Sequence, residues 1–246
     1  MEQEGRMLSA AEVAEFGEFK RARREQEISF TLNKLLIDAS RRETDRAALK
    51  KACEVAVKLH ASGVQVSPVN VAAAKRQLSA SETPVCGLVG GTGESLIAIK
   101  RTEAKKAFRM GAKEVRLVLC YSQLTGGGIN YLKREIRRVR RAIRKGTLTV
   151  SLEDHSLDEE EIAMGVKAAC AGRADAVCVR GETSLVSRAL KESAGKLRVE
   201  VSGVENAEQL RLLLKSGAVR ATTGDGERIA EELYTSLNQS EAENKL

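Results

Sequence analysis

Short apolar stretches alternate along the chain with longer stretches in which apolar residues recur at helical spacing. Within the short stretches polar and apolar residues alternate, which is typical of strands, and glycine or proline often follows. The pattern predicts eight strands, each followed by a helix. The predicted strands are residues 35–39, 63–67, 85–89, 114–119, 148–153, 174–180, 198–202 and 219–223.

The same alternation places several polar side chains opposite the apolar face of their strand. In the predicted strand 174–180, Cys178 and Arg180 point away from the valines, because successive strand residues face opposite sides. Arg116 and Glu200 occupy equivalent positions in their own strands. If the strands close into a barrel, these four side chains meet around one axis, where barrel enzymes keep their chemistry.

Eight strand–helix units within about 220 residues are typical of an α/β fold, the TIM (β/α)₈ barrel. A doubly wound open sheet is the alternative, but it needs a point where the strand order reverses. We expect a barrel over residues 31–237, an N-terminal helical extension over 1–30 that could cover one barrel end, and a polar, frayed tail over 238–246. The apolar side of the extension consists of Ala11, Val13, Phe16 and Phe19.

The composition suits one large domain with small aliphatic side chains in its core. Of 246 residues, 42% are hydrophobic but only 3% are aromatic, which argues against stacking on nucleic-acid bases. Five cysteines without C-x-x-C spacing indicate reduced, buried thiols. No apolar run reaches the length of a membrane span, and the start of the chain does not resemble a signal peptide, so a cytoplasmic protein is expected.

The net charge of +7 favours weak attraction to polyanions, and one predicted helix concentrates that charge. Residues 131–145 carry eight lysines and arginines, with Leu132, Ile136, Val139 and Ile143 on the opposite stripe. A solvated outer face of a barrel helix is one interpretation. A docking surface for nucleic acid, an acidic protein or an anionic membrane is the other.

Three smaller motifs also allow two interpretations each. Gly90-Gly91-Thr92-Gly93 resembles a phosphate-binding loop, but it lacks the P-loop lysine and favours a tight turn. Glu153 and His155 could hold a metal ion only with a third ligand. Cys178 could act as a nucleophile next to arginine, but no histidine base is placed beside it, so a buried filler role is favoured.

Several stretches, in order and with matching spacing, resemble the deoxyribose-phosphate aldolase family, whose members are Schiff-base (class I) aldolases on a TIM barrel. The resemblance covers roughly residues 35–230. It implies a lyase of deoxyribonucleotide and carbohydrate catabolism that needs no cofactor or metal and forms a homodimer. The stretches are Ile37-Asp38-Ala39-Ser40, Val66-Ser67-Pro68, Val85 to Ala112, Glu114 to Leu119, Arg173 to Gly181, Ser202-Gly203 and Gly217 to Gly226.

The catalytic positions implied by this resemblance are all changed. The acidic residue of the fourth strand corresponds to Arg116, the Schiff-base lysine of the sixth strand to Cys178, and the second lysine of the seventh strand to Glu200. A Schiff base requires an amine, so cysteine cannot replace the lysine. Because Arg116 and Glu200 exchange the two charge signs, we expect them to form an ion pair inside the barrel.

The phosphate-binding end implied by the resemblance is only partly kept. Asp225 stands where a serine would donate, and its carboxylate would repel a phosphate. The expected ligand-binding positions are Asp38, Ser40, Arg180, Ser202, Gly203, Thr222, Thr223, Gly224 and Gly226.

Three functions therefore stay open at the sequence level. The first is a catalytically degenerate homologue that binds an anionic, phosphosugar-like small molecule or a partner. The second is an aldolase or lyase that acts through a changed mechanism using Arg116, Cys178, Arg180 and Glu200. The third is a basic interaction module that uses residues 131–145.

Overall fold

Eight parallel strands close into a barrel in the order of the sequence, which confirms the predicted fold class. The structure is a computed structural model that describes residues 10–41 and 44–243, with side chains described for 18–41 and 44–238. The strands are β1 Leu35–Ala39, β2 Gly63–Val66, β3 Val85–Val89, β4 Glu114–Val118, β5 Thr147–Leu152, β6 Ala176–Arg180, β7 Arg198–Ser202 and β8 Arg220–Thr223.

The helices form an outer ring around the barrel. A 3₁₀ turn, Pro68–Asn70, precedes the third helix because proline suits a first turn but lacks the N–H of a helix interior. The helices are α1 Ala10–Leu32, α2 Arg46–Lys58, α3 Val71–Gln77, α4 Ile97–Arg109, α5 Tyr121–Thr125, α6 Ile129–Ile143, α7 Glu159–Gly172, α8 Thr183–Ser193, α9 Ala207–Lys215 and α10 Gly226–Glu243.

Local side-chain contacts set several helix boundaries. The Asp45 carboxylate accepts the Ala48 N–H at 2.8 Å and thereby caps α2, which begins at Arg46. Asp158 and Glu161 form a reciprocal capping box at the start of α7. Alternation along the strands places Val177 and Val179 against the helices, where both are fully buried.

Two expectations about the chain ends need correction. The predicted tail from residue 238 continues α10 to Glu243, because neither glycine nor proline interrupts the helix there; residues 244–246 lie outside the described part. In α1, Phe19 is 63% exposed, whereas Ile28 and Leu32 are buried and the helix contacts α10. The predicted roles of Ala11, Val13 and Phe16 concern side chains outside the described part.

The loop Gly90–Gly93 is a tight turn, as the sequence favoured. Gly93 has φ +92, and a Cβ there would lie 2.2 Å from the Leu119 carbonyl oxygen. The Gly90 N–H donates to the Glu103 carboxylate at 3.0 Å. Glycine is therefore required for close approach of the backbone, and two of the loop amides are already used, since the Gly93 N–H donates to the Gly90 carbonyl.

A buried ion pair joins α4 to α6. Lys100 and Glu135 are both fully buried and their side chains contact each other directly. Lys100 Nζ also donates to the Val118 carbonyl at 2.9 Å, and Glu135 accepts the Cys120 N–H at 3.3 Å. Burial raises the pKa of Glu135, whereas Lys100 acts in the opposite direction. Each charge thus has partners in a region without water contact.

Removal of this lysine should destabilise the barrel. We expect Lys100→Met to lower the free energy of unfolding by about 3 kcal/mol, because the Glu135 carboxylate stays buried without its counter-charge. The double variant Lys100→Met/Glu135→Leu should recover part of the loss, since no charge is then left unpaired. Urea denaturation measures all three proteins. Strictly additive effects would contradict a coupled pair.

Candidate functional site

A large open cavity lies at the carboxyl ends of the strands, where TIM-barrel enzymes have their active sites. Its volume is about 1330 Å³. All the predicted ligand-binding residues line it except Ser40. Those lining residues are Asp38, Arg180, Ser202, Gly203, Thr222, Thr223, Gly224 and Gly226.

The three positions predicted as catalytic by resemblance lie below this cavity, inside the barrel. Arg116 and Cys178 are fully buried and Glu200 is 1% exposed. The register of the strands explains why these residues lie together. Cys178 of β6 lies beside Glu200 of β7, and both side chains face the barrel axis. The structure therefore brings the three residues together but gives none of them a place in the cavity wall.

The predicted pairing of Arg116 with Glu200 is confirmed. Arg116 Nη2 donates to Glu200 Oε2 at 2.9 Å. Arg116 Nη1 donates to Thr222 Oγ1 at 3.0 Å and to Glu153 Oε1 at 3.3 Å, so the guanidinium is held on both sides. Charge-assisted hydrogen bonds of this kind compensate for the cost of burying an arginine.

The pair belongs to a longer chain of alternating charges. Arg220 Nη2 lies 2.9 Å from Glu200 Oε1, and Arg220 Nη1 lies 2.7 Å from Glu114 Oε2. The order Glu114–Arg220–Glu200–Arg116–Glu153 runs from the amino end of β4 to the carboxyl end of β5. A continuous ionic network thus occupies the barrel axis around Arg116 and Glu200.

Cys178 lies within this network as an unreactive thiol. Burial raises its pKa well above the ordinary value, although Arg116 acts in the opposite direction. Its Sγ lies 3.9 Å from the Val179 carbonyl oxygen. A neutral, enclosed thiol is a poor nucleophile, because the thiolate is the reactive form.

Asp38 forms the polar floor of the cavity beside β2. Its Oδ1 accepts from the Ser40 N–H at 3.0 Å, from Ser40 Oγ at 2.6 Å and from Gln65 Nε2 at 3.1 Å. Ser40 therefore orients Asp38 rather than facing the cavity. Gln65 Oε1 is buried and has no hydrogen-bond partner among the described residues.

Arg180 lines the cavity, but its guanidinium is engaged by neighbouring loops. Nε donates to Glu182 Oε1 at 2.8 Å, and Nη1 donates to the carbonyl oxygens of Asp154 and Leu157. These contacts tie the segment after β5 to the segment after β6. Arg180, which the sequence predicts as a ligand-binding residue, thus uses its guanidinium to connect two loops of the cavity wall.

The cavity end that the resemblance implies for a phosphate is partly occupied by the chain itself. The Asp225 carboxylate accepts the Arg228 N–H at 3.2 Å, so it caps the first turn of α10 where a phosphate would otherwise accept. Gly203, at φ +71, has open space on its Cβ side. A Cβ at Gly224 would lie 3.2 Å from Arg41 Nη2, which places this guanidinium over the β8–α10 turn.

Arg41 is a cavity cation that the sequence reasoning missed. Lys51 pairs with Glu227 at 2.9 Å, and Arg228 with Glu232 at 3.0 Å, whereas Arg41 makes no ion pair within residues 10–41 and 44–243. It lies in the loop after β1, which carries no periodic pattern. Arg220 and Glu114 were also missed, although alternation from Thr222 and Arg116 could have indicated both.

Glu153 and His155 both line the cavity but do not form a metal centre there. Among the described residues no group of three potential ligands from His, Cys, Asp and Glu is found. Glu153 Oε1 is instead bound by Ser151 Oγ at 2.9 Å and by Arg116. The residue thus links the buried network to the cavity.

The architecture by itself defines a class of protein. A closed (β/α)₈ barrel with a polar cavity at the carboxyl ends of its strands is the arrangement of TIM-barrel enzymes such as the aldolases. No helix in the described part of the chain is long and apolar enough to span a membrane.

Comparison with known proteins identifies the family. No family model matches the chain. Deoxyribose-phosphate aldolase of Clostridium perfringens is 31% identical over 188 residues, which cover 72% of this chain and 84% of that protein. Deoxyribose-phosphate aldolase 2 of Staphylococcus aureus is 28% identical over 200 residues, covering 78% and 91%. The chain belongs to the deoxyribose-phosphate aldolase family.

A solved structure supports the fold independently of close sequence similarity. The tetrameric deoxyribose phosphate aldolase of Aeropyrum pernix superposes with a TM-score of 0.79 at 16% identity. The match covers 93% of this chain and 100% of that chain. At this identity the match concerns the fold alone.

Proposed function

We propose that the protein is a catalytically degenerate homologue of the aldolases, which binds a small anionic polyol such as a sugar phosphate without forming a Schiff base. The observation that carries the proposal is the ion pair between Arg116 and Glu200, at the positions that correspond to the family's acid and second lysine. Cys178, at the position of the nucleophilic lysine, is buried beneath the cavity. Neither Cys178 nor Glu200 supplies the amine that an iminium requires.

The cavity keeps the groups that recognise a polyol. Asp38 and Glu153 present carboxylate oxygens that accept hydrogen bonds from ligand hydroxyls, and Ser202 and Thr222 add hydroxyl groups. Carboxylates and hydroxyls that converge on one cavity are suited to a polyhydroxylated ligand. These residues come from strands on different sides of the barrel, so they can contact several carbons of one molecule.

The anionic end of the ligand is best placed beside Arg41. This guanidinium lies next to Gly224, and it has no competing carboxylate within the described residues. The lining otherwise contains more Asp and Glu than Lys and Arg, and most of its cations are already paired. The proposal therefore assigns the phosphate to Arg41 rather than to Arg180.

A changed-mechanism aldolase is the second function left open by the sequence. It would need Cys178 or the arginines to act on a bound substrate. The burial of Cys178, its raised pKa and the engagement of both Arg116 guanidinium ends all favour the binding function instead.

Thermal-shift measurements with 2-deoxyribose 5-phosphate and 2-deoxyribose test the binding proposal. At tenfold excess over Kd a ligand stabilises by about 1.4 kcal/mol, which corresponds to roughly 3–6 °C in Tm for a chain of this size. We expect this shift with the phosphate and a smaller one with the neutral sugar. Arg41→Ala should abolish the difference between the two ligands.

The matched control is Arg46→Ala, an exposed arginine of α2 that does not line the cavity. It should keep the full response to the phosphate. Equal stabilisation by the phosphate and the neutral sugar, or equal losses in the two variants, would contradict the assignment of Arg41.

A further inference from the structure

The outer face formed by α4 and α6 carries a dense array of cations. We define the α4–α6 surface by the exposed side chains of Arg101, Lys105, Arg134, Arg138 and Arg141. Arg101 of α4 lines one groove together with Arg134 and Arg138 of α6. The two helices thus contribute to one continuous basic surface, which the sequence indicated only for residues 131–145.

Carboxylates do not neutralise this surface. The two helices contain eleven lysines and arginines but only two glutamates, Glu103 and Glu135. Glu135 is buried against Lys100, and Glu103 is bound to the Gly90 N–H. Within the described part of the chain Arg101, Arg138 and Arg141 have no ion-pair partner, so their charge faces solvent.

The array is held in a fixed arrangement. The four predicted apolar residues of α6, Leu132, Ile136, Val139 and Ile143, are fully buried, which confirms the stripe and directs the opposite face outward. The buried Lys100–Glu135 pair joins the two helices below the cations. Along α6, Arg134, Arg138 and Arg141 follow one another at rises of about 6 and 4.5 Å, given 1.5 Å per residue.

We propose that the α4–α6 surface binds the phosphate backbone of double-stranded nucleic acid without reading its sequence. Guanidinium groups pair with phosphates in bidentate geometry, and a backbone with a charge every few ångströms matches closely spaced arginines. Two neighbouring helices are typically 8–10 Å apart, so two rows of cations can contact the two strands that border one groove of a duplex.

The composition of the surface disfavours other polyanions. Single strands are bound through aromatic stacking, and the α4–α6 surface presents cations without an exposed aromatic platform, since Tyr131 is half-buried beneath Arg134. Membrane-bound helices place large apolar side chains beside their cations. The apolar residues that line this groove are Ile97, which is half-buried, and Ala98, while the exposed Leu96 and Ile99 lie outside its lining at the start of α4.

Fluorescence anisotropy with a labelled 24-base-pair DNA duplex of arbitrary sequence tests this proposal. We expect a micromolar Kd at 50 mM salt, which weakens roughly 40- to 150-fold between 50 and 200 mM if three or four phosphates are contacted. The triple variant Arg134→Gln/Arg138→Gln/Arg141→Gln should lose at least about tenfold in affinity, and the slope of log Kobs against log salt should fall by about 2.7.

The matched control Arg46→Gln/Arg76→Gln/Arg198→Gln removes three exposed charges from other faces. It should keep the affinity within about threefold, and both variants should keep the wild-type Tm because all six side chains are exposed. Equal losses in the two variants, or a slope unchanged by the α4–α6 substitutions, would overturn the proposal.

Competition identifies the partner class. Unlabelled duplex should displace the probe at least tenfold better, per unit charge, than poly-glutamate or vesicles of 70% phosphatidylcholine and 30% phosphatidylserine. If poly-glutamate or the vesicles compete as well as the duplex, the surface serves an acidic protein or an anionic membrane, and the assignment to nucleic acid is wrong.

Discussion

Replacement of Arg116 by leucine should lower the free energy of unfolding by about 3–5 kcal/mol, although the substitution adds apolar surface to the interior. Glu200 would lose its Arg116 partner at 2.9 Å while remaining 1% exposed. Glu200→Leu should cost at least as much, because Glu200 lies between Arg116 and Arg220 and both guanidinium groups would lose a carboxylate.

The double variant Arg116→Leu/Glu200→Leu should recover at least about 1 kcal/mol relative to the sum of the single effects, since neither member of the pair then stays buried without the other, and Arg220 keeps Glu114. Arg198→Leu, an exposed position on the same strand as Glu200, serves as the control and should change stability by no more than about 0.5 kcal/mol. Urea denaturation of the four variants measures these values. Additive single effects would show that the exchange of charges is a coincidence.

The second large effect concerns catalysis. We expect no cleavage of 2-deoxyribose 5-phosphate above the rate in buffer, whereas enzymes typically accelerate reactions by at least about 10⁶-fold. The reason is the lack of an amine at positions 178 and 200 and the filling of the barrel axis by ion pairs. A coupled assay for the aldehyde products, with the Clostridium perfringens aldolase as positive control, measures the rate. Turnover that depends on Cys178 would instead support a changed mechanism.

The network also limits how the family's residues can be restored. Arg116→Asp, Cys178→Lys and Glu200→Lys together would rebuild the set implied by the family. However, Arg220 Nη2 lies 2.9 Å from Glu200 Oε1, so a lysine at position 200 would meet a buried arginine. We expect the triple variant to fold poorly and the addition of Arg220→Leu to improve its stability, which thermal melts can compare.

The barrel and its charge pair follow from the sequence because alternation is a strictly local rule. Once β4 and β7 are recognised, the inward position of Arg116 and Glu200 needs no tertiary information. Alternation also turns Arg220 and Glu114 inward, but their pairing with each other and with Glu200 depends on the register between strands, which residue types alone do not specify. The burial of Lys100 could not be predicted for a different reason. A lysine in a basic helix is expected to face solvent, and Lys100 is buried because Glu135 of another helix pairs with it.

The cavity wall was the least predictable part of the site. Arg180 follows the inward alternation of β6, but its contacts with Glu182 and with the loop after β5 depend on loop geometry. Arg41 lies in such a loop itself, and its proximity to Gly224 joins segments from opposite ends of the sequence. Loops have no periodic pattern, so their side chains can be placed only by the folded structure.

Borohydride trapping tests the loss of Schiff-base chemistry most directly. The protein is incubated with 2-deoxyribose 5-phosphate or acetaldehyde, reduced with sodium borohydride and analysed by intact-mass and peptide mass spectrometry, with the Clostridium perfringens enzyme treated in parallel. We expect an unchanged mass for this protein and a stoichiometric adduct on the active aldolase. A stoichiometric adduct on a lysine that faces the barrel interior of this protein would contradict it.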